Sequence, residues 1–194
     1  MAINHVGPYQ VVREIGEGGF AKVYECKAPD GRQVAVKLRQ YGEEKRFRKE
    51  ANLMLSMRHR GVVRVLDSGR DEETVQLYTV MEYIPYPTLA TILAHEGKLP
   101  EHTTVTILKR IAEALDYVYR HSDVAAHRDI KPGNIFVKLN GDRVEEVKVT
   151  DFGIYRTTQG MGTFAAMGDP EYNPPEQIQN AGNYSAATDV YSLG

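Results

Sequence analysis

The sequence predicts an α+β protein, with a small antiparallel sheet first and a mostly helical portion after it. Three observations predict this. Short β-type runs separated by turn residues fill positions 1–84, Pro85 and Pro87 break the pattern, and the stretch after them carries helical periodicity.

The elements follow in order. Tyr9 to Ile15 reads as a strand running into a glycine cluster. Ala21 to Lys27 and Gln33 to Leu38 follow, joined by the turn Pro29-Asp30-Gly31, which makes a meander. Glu43 to Arg58 reads as a helix, with Phe47, Ala51, Met54 and Leu55 on one face. Two strand-like runs, Val62 to Asp67 and Val75 to Tyr83, complete a five-stranded sheet. Beyond the break, Thr88 to Glu96 is a short helix. Glu101 to His121 is a long one, with Val105, Leu108, Ala112, Leu115, Val118 and Tyr119 read as its apolar side. Short strands and loops run to Gly153, and positions 157–181, rich in Gly, Pro, Thr and Asn, read as an irregular loop.

Bulk properties narrow the function classes. The chain has 194 residues, enough for one sizeable domain or two small lobes. Its 24 basic and 26 acidic side chains give a net charge of -2, so nothing points to nucleic acid or an anionic membrane as a partner. No apolar run approaches membrane-helix length, and the start Met1-Ala2-Ile3-Asn4-His5 lacks signal-peptide character, so the expected location is the cytoplasm. Cys26 is the only cysteine and reads as a structural thiol, consistent with a reducing compartment. His5, His59, His95, His102 and His121 show no metal-ligand spacing.

Four motifs carry chemistry. The cluster Gly16-Glu17-Gly18-Gly19-Phe20-Ala21-Lys22-Val23 lies between two strands, where bare backbone can approach phosphate oxygens; by itself it fits a hairpin loop equally well. In Val34-Ala35-Val36-Lys37 a lysine sits inside an apolar strand. Pointing outward it snorkels, and pointing inward it needs an anion, for which Glu50 on the following helix is a candidate. The run His127-Arg128-Asp129-Ile130-Lys131-Pro132-Gly133-Asn134 is the most specific. One short loop offers a proton acceptor, a cation and a metal-ligating amide. Asp151-Phe152-Gly153 follows and supplies a second oxygen ligand suited to Mg2+.

Taken together and in this order, the motifs are similar to those of the protein kinase family, and the resemblance runs from about Tyr9 to Gly194. It implies a protein-kinase-like bilobal fold, with an N-lobe at 1–84 and a partial C-lobe at 85–194. It implies ATP as the phosphoryl donor, with Mg2+ or with Mn2+ in its place. Gly16, Gly18, Gly19 and Ala21 would cover the phosphates, Ala21 standing where the family has its third glycine. Met81 would be the gatekeeper beside the adenine, with Glu82, Tyr83 and Ile84 as the hinge. Val23, Ala35 and Phe136 would sandwich the ring. Lys37 and Glu50 would hold phosphate oxygens, Asp129 would accept the hydroxyl proton, Lys131 would steady developing charge, and Asn134 and Asp151 would bind the metal. Met54, Val65, His127 and Phe152 would stack as a spine standing on Asp189; these four, with Met81, Val23, Ala35 and Phe136, also fit ordinary core packing. Lys131, two residues after Asp129, resembles the serine/threonine class, which implies a protein substrate bearing Ser or Thr hydroxyls. Arg128 resembles kinases switched on by loop phosphorylation, with Thr163 as the implied phosphosite and Thr157 and Thr158 as secondary ones.

Two departures stand out. Asp169 follows Gly168 where the family carries threonine, and a carboxylate there is expected to pair with Lys131 and weaken transfer while leaving ATP binding intact. The chain also stops at Gly194, where the resemblance places the start of a large central helix. A C-terminally truncated C-lobe is therefore expected, with Glu176 left without its family partner. These departures set the alternative of a nucleotide-binding pseudokinase or an inactive fragment against an active serine/threonine kinase. A small-molecule kinase is disfavoured by Lys131, the Asp-Phe-Gly run and the Pro-Pro-Glu segment at 174–176.

Overall fold

Consecutive buried residues in the early strands give the sheet two packed faces, and that organises the first part of the chain. The computed structural model describes residues 3–18, 21–39, 44–152, 171–179 and 184–194. It divides into two units, Met1–Arg58 with Val63–Pro85, and His59–Val62 with Tyr86–Gly194.

The first unit contains β1 (His5–Val6), β2 (Tyr9–Gly18), β3 (Ala21–Lys27), β4 (Gln33–Arg39), α1 (Glu44–Ser56), β5 (Val65–Arg70) and β6 (Leu77–Glu82). The strands form one antiparallel sheet in the order β1-β2-β3-β4-β6-β5. One face is a core of Tyr24, Cys26, Val34, Val36, Leu38, Tyr78 and Val80, closed by Val6, Tyr9 and Ala28. Complete burial pushes the Cys26 thiol up to about 11, with Glu25 adding to the effect, so it is an inert packing group. On the other face Leu77 packs against Phe47 and Ala51 of α1.

The sheet has six strands where the sequence predicts five. His5 and Val6 pair with Gln10 and Tyr9 across a reversal at Gly7, whose φ is 54°. A Cβ at Gly7 would lie 2.7 Å from the Tyr78 hydroxyl, so the close approach requires glycine as much as the dihedral does. A two-residue strand before Gly-Pro offers no alternation to read. The strand expected over Val62 to Asp67 begins instead at Val65, and Val62 bridges to Val149 inside the second unit.

The second unit holds α2 (Leu89–Glu96), α3 (Glu101–His121), a 3-10 turn (Pro132–Asn134), the hairpin β7 (Ile135–Asn140) and β8 (Arg143–Val149), and the short helices α4 (Pro175–Ile178) and α5 (Ala186–Leu193). Thr88 caps the start of α2 and Gly97, at φ 75°, ends it. The buried stripe of α3 is Thr103, Ile107, Ile111, Ala114, Leu115 and Val118. Of the side predicted from sequence, Val105, Leu108 and Ala112 are exposed among the described residues. The two stripes differ by one residue, a rotation of about 100°, and both contain enough apolar side chains to look amphipathic.

Candidate active site

The β7–β8 hairpin builds one half of the site. Its open end pairs Ile135 with Val149, which sets Asn134, just before β7, beside Thr150 and Asp151, just after β8. The Thr150 N–H donates to the Asn134 carbonyl at 3.0 Å. Asn134 in turn reaches Asp129, its Nδ2 donating to the main-chain carbonyl at 2.8 Å and to Oδ2 at 2.9 Å. Both amide hydrogens are thus committed, and the amide oxygen is the atom left to meet a cation. The Lys131 ammonium lies 3.6 Å from Asp129 Oδ1. Asp129, Lys131, Asn134 and Asp151 are therefore gathered by one loop and one hairpin.

Asp189, at the start of α5, holds this loop from beneath. It is buried, and its carboxylate accepts the His127 N–H at 2.5 Å, the Arg128 N–H at 2.8 Å and the Tyr119 hydroxyl. Arg128 has φ 67°, and this left-handed turn lets two consecutive N–H groups converge on one carboxylate. Asp151 is also left-handed, at φ 60°. Burial first, then the Asp189 charge, raises the Tyr119 pKa well above the usual tyrosine range, so the hydroxyl remains a donor.

His127 is fully buried in the same knot. The Asp129 N–H donates to its Nδ1 at 3.2 Å, so Nε2 carries the proton and donates to the Thr150 carbonyl at 2.9 Å. Desolvation lowers its pKa below the ordinary histidine value, against the opposing pull of Asp189, the Thr150 carbonyl, Asp129 and Asp151. Its ring lies 4.3 Å from that of Phe152. The part of the expected spine inside this unit, Phe152 on His127 on Asp189, is thereby in contact. Met54 and Val65 are buried in the first unit.

The first unit presents a row of expected residues on the α1 side of its sheet. Antiparallel register aligns Glu25, Ala35 and Met81 in one rung, Val23, Lys37 and Thr79 in the next, and Ala21, Arg39 and Leu77 in a third. Residues of alternate rungs share a face, so Val23, Ala35, Lys37 and Met81 point the same way. Gly16 pairs with Val23 and Gly18 with Ala21 at the mouth of the β2–β3 hairpin. Glu82 is held at both ends by Arg64, donating its N–H to the Arg64 carbonyl at 2.9 Å and accepting the Arg64 N–H on Oε1 at 2.8 Å. The Tyr83 hydroxyl accepts from Arg13 at 3.2 Å. Ile84 follows without regular structure, and Phe136, on β7 of the second unit, meets Tyr86 edge-on.

Several residues of the site lay beyond sequence reasoning. Tyr119 bonds Asp189 from 70 positions away, and no local pattern announces that. Gln177 Nε2 donates to the Arg128 carbonyl and to Asn173 Oδ1, both at 3.0 Å. Arg39 was legible in principle, because it stands two positions after Lys37 on a strand and must share its face; its Nη2 spans both oxygens of Glu50, at 3.1 and 3.2 Å. Glu176, expected to be left without its family partner, accepts the Thr188 hydroxyl on Oε1 at 3.0 Å, a bond formed because Ser185 caps α5 and fixes Thr188 in its first turn. Gly19, Thr157, Thr158, Thr163 and Asp169 lie outside the described residues.

Among the described residues no cluster of three or more His, Cys, Asp or Glu could hold a metal ion by itself. An Asn–Asp pair of oxygen donors suits Mg2+ when phosphate oxygens complete the shell. No helix among the described residues is long and apolar enough to cross a membrane.

The model of the protein kinase domain matches residues 9–194. A probable serine/threonine-protein kinase of Streptomyces coelicolor is 38% identical over 202 residues, covering 97% of this chain and 29% of that protein. Serine/threonine-protein kinase PrkC of Bacillus subtilis is 34% identical over 200 residues, with the same two coverages, 97% and 29%. The chain thus spans less than a third of these relatives. The crystal structure of the Mycobacterium tuberculosis PknI kinase domain superposes with a TM-score of 0.75 at 24% identity, over 100% of this chain and 74% of that one.

Proposed function

The chain belongs to the protein kinase family, and on that premise we propose that it transfers the γ-phosphate of ATP to serine or threonine hydroxyls of a protein substrate. The observation that carries this is the loop in which Asn134 spends both amide hydrogens on Asp129 while Lys131 stands 3.6 Å from the same carboxylate. A carboxylate held in this way is an acceptor for a hydroxyl proton, oriented before the substrate arrives.

Each side chain then has a defined task. The substrate oxygen attacks the γ-phosphorus, the bond to the β-phosphate oxygen breaks, ADP leaves, and the hydroxyl proton goes to Asp129. Lys131 offsets charge growing on the transferred phosphoryl group. Asn134 and Asp151 would hold Mg2+, which supplies charge neutralisation at the phosphate oxygens. Lys37, with Glu50, meets the α- and β-phosphates, and the glycines from Gly16 to Gly19 with Ala21 cover them. Val23, Ala35 and Phe136 bracket the adenine. Met81 lies beside it, and the Glu82–Ile84 backbone bonds its edge. The Glu82 N–H donates to the Arg64 carbonyl, which fixes the start of this hinge. Phosphorylation of Thr163, read out by Arg128, is the proposed control.

The test is incubation of the protein with Mg2+, γ-labelled ATP and a protein rich in Ser and Thr, followed by phosphoamino-acid analysis. Label on serine or threonine supports the reading. Absence of label, or label on tyrosine alone, contradicts it.

A further inference from the structure

Lys37 and Glu50 are the two charged side chains of the first unit to which the proposed reaction assigns a place at the phosphates, and Arg39 lies between them. On β4, Arg39 follows Lys37 by two positions, so both side chains leave the same face of the strand, about 6.8 Å apart along it. The Arg39 guanidinium makes two contacts with α1. Its Nη2 donates to both carboxylate oxygens of Glu50, and its Cζ lies over the ring of Phe47, 5.4 Å from the centroid. Phe47 and Glu50 are three residues apart and share a helix face. The pair is well shielded, with 23% of the Arg39 side chain and 10% of the Glu50 side chain exposed. Phe47 itself belongs to the buried contact with Ala51 and Leu77. Arg39 therefore ties α1 to β4 at one apolar and one ionic point.

We propose that Arg39 is a positioning residue, which fixes the Glu50 carboxylate and the inward setting of α1 so that the ammonium of Lys37 is presented to the nucleotide phosphates. It rests on the reading of Lys37 and Glu50 given under Proposed function. A strand–helix tether that relied on Lys37 alone would compete with phosphate for one ammonium. Here the forked bond from Arg39 holds the glutamate by a second cation, which carries no duty toward the nucleotide. A guanidinium suits that place because one of its nitrogens can donate to the carboxylate while its carbon lies over the aromatic ring.

The experiment compares Arg39→Met, Arg39→Lys, Glu50→Gln and the Arg39→Met/Glu50→Gln double variant in the full chain. Two measurements are made: amide hydrogen exchange over 44–56, and steady-state kinetics with MgATP. Arg39→Met is expected to speed exchange in α1 by about 10- to 100-fold, as for loss of a charged hydrogen bond, with exchange in β3, β4 and β6 unchanged. It is expected to raise KM for ATP more than it lowers kcat. Arg39→Lys restores part of both effects, and the double variant matches Glu50→Gln. The proposal is overturned by unchanged exchange in α1, by protection lost uniformly across the sheet, by additive effects in the double variant, or by a rise in kcat. A wild-type protein with no transfer activity would defeat the proposed reaction, while the exchange measurement would still decide the role of Arg39.

Discussion

Asn134 donates both of its amide hydrogens to Asp129, one to the main-chain carbonyl at 2.8 Å and one to the carboxylate at 2.9 Å. The asparagine nitrogen thus orients the Asp129 carboxylate, and on the proposed reading its oxygen would meet the metal. Replacing Asn134 with Asp keeps the size and an oxygen ligand but removes both donors, and sets two carboxylates against each other, raising the pKa of at least one. We expect the transfer rate of Asn134→Asp to fall at least about 100-fold while the fold persists. Comparison of kcat with nucleotide affinity checks this.

The loop is also anchored from below, and Tyr119→Phe isolates that anchor. The variant removes one of three donors to a buried carboxylate and leaves the His127 and Arg128 N–H bonds in place. Stability is expected to drop by roughly 1.5–3 kcal/mol, the usual worth of a hydrogen bond to a charged group. Urea unfolding measures it, and a change below about 0.5 kcal/mol would mean that Asp189 re-solvates when the hydroxyl is lost.

His127 makes stability depend on pH. Burial holds its folded pKa below the ordinary value of 6.5, so the unfolded chain binds the extra proton first on acidification. The contribution is fully present above pH 6.5 and is lost as pH falls from there toward the folded value. Denaturation midpoints between pH 7.5 and 5 should therefore decline, and the decline should shrink in His127→Gln.

Asp169 stands where the family carries threonine. If Asp169 sits beside the catalytic loop, as the resemblance implies, its carboxylate would compete with Asp129 for the Lys131 ammonium. Asp169→Thr is accordingly expected to raise kcat by about 10-fold or more, with little change in ATP affinity. Equal turnover in the two proteins would remove Asp169 from any role in the reaction.

How much could be read without coordinates depended on whether partners are near in sequence. The loop from His127 to Asn134 was legible because one contiguous run carries its whole chemistry. Strand alternation would likewise have told which residues join Lys37 on one face, Arg39 among them. Contacts over long separations were not legible. Tyr119 to Asp189 spans 70 positions, and Thr188 to Glu176 links two short helices whose packing no local rule fixes. The buried side of α3 was misread because Val105, Leu108 and Ala112 make a stripe as regular as Ile107, Ile111 and Ala114. Periodicity identified the helix, and only packing chose its face.

The central claim is that Asp129 accepts the proton in a phosphoryl transfer supported by MgATP. The most direct measurement sets Asp129→Asn beside the wild type, following nucleotide binding and transfer of label from γ-labelled ATP in the same preparation. The account predicts similar MgATP affinity in both proteins and transfer slowed in the variant by about 100- to 10,000-fold. Transfer by Asp129→Asn at the wild-type rate would contradict it.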